Sequence, residues 1–99
     1  MPDDPRRLAC YTDDCWEPKD AVDLLRSLAS ESGVDASDAR PYCLRVAGND
    51  VDGARLVSPD EERDEPLGTA SYLWVLCAGS PPTREWMISL YRESRPPWH

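Results

Sequence analysis

Thr69-Ala-Ser-Tyr-Leu-Trp-Val-Leu-Cys-Ala78 decides the fold. The run holds no charge, is rich in aromatic and β-branched side chains, and is bounded by Gly68 and Gly79. Ten such residues between two glycines predict a strand buried on much of both faces, and hence the centre of a sheet. A strand of that kind needs neighbours on each side, and the rest of the chain must supply them.

After Gly79, Ser80-Pro81-Pro82 opens a helix over 81–94, with Ser80 as N-cap and Pro81 in the first turn. Trp86, Met87, Leu90 and Tyr91 make its apolar face, Ile88 lies partly off it, and Pro96-Pro97 ends it. Before the central run, residues 42–47 alternate, with Tyr42, Leu44 and Val46 pointing one way. A turn-rich 48–53 and a return strand at 54–57 complete a hairpin. Residues 34–41 form a connection ended by Pro41. Earlier still, residues 18–32 carry Ala21, Leu24, Leu25, Leu28 and Ala29 at helical spacing, with Pro18 in the first turn and Gly33 as the stop. Residues 7–11 make a short first strand that fits either edge of the sheet. The order β-α-β-β-β-α predicts an α+β fold: a two-layer, three- to four-stranded, mainly antiparallel sheet with both helices on one face. Length predicts one domain over 1–99 with short flexible termini.

Charge is distributed unevenly. Residues 1–65 hold 17 of the 19 acidic and 8 of the 11 basic residues, so the C-terminal third is close to neutral and the chain totals −8. Such a surface repels nucleic acid and attracts basic protein. Lys19 is the only lysine against ten arginines. A GC-rich genome or a salt-loving source would account for that bias, and for the acidity, without any binding role. No run approaches the roughly 20 apolar residues that span a bilayer, and Met1–Arg7 lacks a signal peptide's apolar core, so a cytoplasmic location is expected.

Chemistry-bearing motifs are few. Cys10 and Cys15 have zinc-ligand spacing, but Cys43 and Cys77 stand alone in apolar runs and read as core thiols. Asp50-Val-Asp52-Gly53 echoes a calcium loop whose remaining ligand positions fall on Gly48 and Pro59, so it reads as a turn. His99 is the sole histidine, and no nucleophile–base pair, phosphate loop or dinucleotide fingerprint is present. Neither catalysis nor a metal or other cofactor is expected. The element order of 18–94 is similar to that of double-stranded-RNA-binding domains, yet Arg84, Arg92 and Arg95 are the only cations past residue 63. Direct nucleic-acid binding is disfavoured.

Two sets of binding residues stand out. The first is acidic: Asp13, Asp14, Glu17, Asp20, Asp23 and Glu31 at the first helix, and Asp60, Glu61, Glu62, Asp64 and Glu65 in the loop before the central strand. Carboxylates so spaced can stand in for phosphates in a basic groove. The second is the C-terminal group Arg92, Arg95 and Trp98, residue types enriched at interfaces. In composition the chain resembles phage-encoded anti-CRISPR and DNA-mimic proteins, which are small, acidic and free of catalytic motifs. That resemblance implies a monomer or small homo-oligomer that inhibits a nucleic-acid-handling complex by occupying its basic surface, in the host cytosol if phage-encoded. The alternative is an interaction module using apolar surface, such as an antitoxin, immunity protein or assembly subunit.

Overall fold

The computed structural model describes residues 4–48, 50–64, 66 and 68–94. The elements are β1 (Arg6–Asp13), α1 (Pro18–Glu31), β2 (Arg40–Ala47), β3 (Arg55–Val57), β4 (Ala70–Ala78) and α2 (Arg84–Ser94). This is an α+β fold with one four-stranded antiparallel sheet in the order β1-β4-β2-β3. The apolar run lies between two neighbours, as its composition demands. Leu73, Trp74, Val75 and Leu76 are fully buried.

The two helices cover opposite faces, which corrects the expectation of two layers. Along β4, Tyr72, Trp74 and Leu76 pack with Ala21, Leu25 and Ala29 of α1. The alternate residues Leu73, Val75 and Cys77 pack with Met87, Ile88, Leu90 and Tyr91 of α2. Successive side chains of a strand point to opposite faces, so a strand apolar throughout needs cover on both. Each helix has a single apolar stripe and can cover only one. Ile88 is accordingly buried, although it lay at the margin of the stripe read from sequence.

Three local details also differ from expectation. First, β2 begins at Arg40, so Pro41 sits inside a strand, opposite Leu76. It is tolerated because β3 pairs only with Cys43–Arg45, leaving Pro41 no ladder bond to donate on that side. Second, β1 runs from Arg6 to Asp13, longer than expected, with a bulge between Arg7 and Ala9. Third, α2 starts after Thr83, whose hydroxyl accepts from the Trp86 N–H at 3.1 Å. Thr83, not Ser80, is the N-cap. Thr83→Ala is therefore expected to cost about 1 kcal/mol in a urea titration, with Ser80→Ala close to neutral.

The end of α1 follows its sequence signal. Gly33 adopts φ +72°, and the N–H groups of Gly33 and Val34 donate to the carbonyls of Ser30 and Ala29. The β2–β3 connection is a turn, as read: Asp50 Oδ1 accepts from the Gly53 N–H at 3.1 Å. Arg84 donates to the carbonyls of Ala54 and Asp52, and Arg92 pairs with Asp52 at 3.2 Å, so α2 pins that turn.

Candidate functional site

Trp16 organises the acidic side of the molecule. It sits between β1 and α1, half-buried, with its ring 5.1 Å from Tyr72 and 5.4 Å from Trp74. Its indole N–H donates to the Glu61 carbonyl at 3.1 Å. The Arg63 guanidinium lies 5.8 Å from the centre of the same ring and pairs with Glu61 at 3.4 Å. The 58–64 loop is thus fastened to the start of α1. One cation within the acidic run makes this closure affordable, since Arg63 offsets the nearest carboxylate and stacks on an aromatic face.

This fastening joins the two acidic stretches. Asp23 and Asp60, both exposed, line one cleft with Pro18, Lys19, Val22 and Pro59. On the other flank of α1 stand Glu17 and Asp20, which with Asp13 of β1 act electrostatically on Tyr11. Burial and those carboxylates push the Tyr11 phenol up to about 12. Glu61, Glu62 and Asp64 are exposed on the loop. Asp23, Asp60, Glu61, Glu17 and Asp20 thus lie around α1 and its start. Lys19 and Arg26 of α1, Arg63 of the loop and Arg6 of β1 stand with these carboxylates on the same side of the sheet.

Not every expected residue joins this face. Asp13 Oδ1 accepts from the N–H groups of Asp14 and Cys15 at 2.7 and 3.3 Å, so it shapes the turn. Glu31 ends α1, eight residues beyond Asp23 and hence about 12 Å along the axis. Arg92 belongs to the opposite side, paired with Asp52. Glu65, Arg95 and Trp98 lie outside the described residues. Trp16 was not singled out from sequence. Its signal is positional: an apolar residue just before the helix cap, with Ala21 at the matching position of the first turn.

The thiols lie within or beside the core. Cys43 and Cys77 are buried, while Cys10 and Cys15 are half-buried, and all four are free. Burial drives the Cys43 thiol well above its ordinary 9.0 and pushes Cys77 up to about 11. Partial burial raises Cys15 too, helped by Asp13, Glu17 and Asp14. These groups and Tyr11 keep their protons in the native state when the unfolded chain has begun to lose them. The unfolded state then binds fewer protons, so stability should fall as pH rises above about 9. Urea midpoints between pH 7 and 11 would show this, with Tyr11→Phe flattening the upper part of the decline. A flat profile would remove these groups from the account.

Among the described residues, no group of three or more His, Cys, Asp or Glu side chains is placed to hold a metal ion. No helix there is long and apolar enough to cross a membrane. No protein-family model, curated protein or solved structure matches this chain.

Proposed function

We propose that this protein works by binding, without catalysis, and that its acidic α1 side occupies the basic surface of a nucleic-acid-handling complex in the cytoplasm. One observation carries the reading: Trp16 and Arg63 fasten the 58–64 loop to the start of α1, so that Asp23 and Asp60, far apart in sequence, line one cleft. A loop serving only solubility would not need such anchorage. Preorganised charge costs less to bind than charge on a loose segment, because little loop entropy remains to be lost.

The test is capture of the tagged protein from a lysate of host cells at low and high salt, with mass spectrometry of what elutes. A nucleic-acid-binding complex recovered at low salt and lost at high salt supports the reading, since surface charge pairing is screened within about 10 Å at 0.1 M salt. A salt-resistant partner that is lost on deleting residues 96–99 would replace it with the apolar-surface module. Folding that itself requires high salt would point to a salt-adapted domain.

A further inference from the structure

Among the described residues, β1 stands at the edge of the sheet with β4 alone beside it. It is eight residues long, whereas the opposite edge, β3, has three. We propose that β1 pairs antiparallel with β1 of a second copy, forming a two-fold dimer with a continuous eight-stranded sheet.

The register follows from which face each residue occupies. A two-fold axis normal to the sheet keeps each residue opposite one on its own face. Ala9, Tyr11 and Asp13 sit on the α1 side, since they pair with Leu76, Trp74 and Tyr72. Arg6, opposite Ala78, shares that side. Arg7 and Cys10, opposite Cys77 and Val75, sit on the α2 side, with Thr12. Centring the axis on Cys10 places Ala9 opposite Tyr11 of the second copy. The bulge at Leu8 then absorbs one residue, which sets Arg7 opposite Thr12 and Arg6 opposite Asp13. Without the bulge, the arginines would fall one residue out of step with these partners.

Charge selects a second copy as the occupant. Asp13 ends β1, and Glu17 and Asp20 stand at the cap and in the first turn of α1, which follows that end of the strand. Arg6, at the other end, is exposed and makes no ion pair among the described residues. Antiparallel self-pairing brings each Arg6 to the other copy's carboxylates, twice over. Exposed charges on an edge strand normally discourage pairing. Here they discourage the registers in which like charges meet.

The overhanging helix supports the same contact. Leu24 is 43 % exposed and Leu28 half-buried, one helical turn apart. They share the flank of α1 that carries Glu17 and Asp20 and neighbours Tyr11, opposite the flank facing Pro59 and Asp60. With strands about 4.8 Å apart and α1 lying over β1 and β4, the two α1 axes would be about 10 Å apart, a normal helix packing distance. The leucines of both copies then meet across the axis.

The test is the particle mass of the full chain by light scattering over a concentration series, with Arg6→Asp and Leu24→Glu beside the native protein. Both positions are exposed, and an unchanged far-ultraviolet circular dichroism spectrum would confirm that the variants fold. The expected result is a dimer of twice 11.1 kDa, weakened about tenfold or more in dissociation constant by each variant. Oxidation with diamide, which takes two electrons and two protons from two thiols, should link the dimer through Cys10 and fail in Cys10→Ser. A monomer at millimolar concentration, or a dimer indifferent to both charge and leucine variants, overturns the proposal.

Discussion

Trp16→Ala should destabilise the protein by about 3 kcal/mol, and should cut partner binding further than stability alone explains. The stability estimate comes from the removal of a large ring packed on Tyr72 and Trp74. Core tryptophan truncations cost roughly 3–5 kcal/mol, and half-burial puts this one at the lower end. The loss includes ring–ring contacts and the bond to the Glu61 carbonyl. Alanine would also uncover Trp74, whose own indole N–H is already buried without a hydrogen-bond partner. The binding effect has a separate origin. Once the indole is gone, the 58–64 loop loses its fastening to α1, and ordering it must be done at the moment of binding. Urea denaturation measures the first effect, and affinity under conditions where the variant remains folded measures the second. Trp16→Phe should recover most of the stacking but not the bond to Glu61. Equal loss from both substitutions would show that the hydrogen bond, not the ring, holds the loop.

The second large effect is electrostatic. Asp23→Lys with Asp60→Lys reverses two exposed charges lining one cleft and should weaken partner binding about a hundredfold or more, near 3 kcal/mol. A single exposed ion pair contributes about 0–1 kcal/mol, whereas close charge pairs at a desolvated interface reach several. An effect of the larger size therefore requires that the two aspartates meet a cationic partner together. Neither side chain makes an ion pair or side-chain hydrogen bond among the described residues, so folding should be little changed. The loss should arise mainly in the dissociation rate, with a smaller, salt-dependent loss in the association rate because long-range charge steers encounter.

Much of this architecture is legible in the chain. The uncharged run Thr69–Ala78, the stripe of α1, and the alternation of Tyr42, Leu44 and Val46 each carry a period that local physics enforces. The two-sided cover of β4 was implicit in its composition, yet the element order alone does not choose which face each helix takes. β1 was underestimated because half of it faces solvent at an edge and carries Arg6, Arg7 and Asp13. Pro41 concealed the start of β2, since its tolerance depends on how short β3 is. Ser80 and Thr83 are both sound caps by type, and only the path of the chain decides between them. The acidic residues themselves were plain. Their union was not, because it depends on Trp16, a single aromatic in a turn with no periodic partner, reaching a carbonyl 45 residues away. Asp13 shows the converse: its side chain belongs to the turn, which its residue type permits and its neighbours require.

The most direct measurement is parallel quantitative capture from one lysate at low salt using three proteins. These are the native chain, Asp23→Lys/Asp60→Lys, and Glu85→Lys/Glu93→Lys, which makes the same change in net charge on the α2 side. The account predicts that the native chain and the α2-side variant retain a nucleic-acid-binding partner while the α1-side variant loses it. Equal retention by all three, or equal loss by both variants, would contradict a localised acidic binding face.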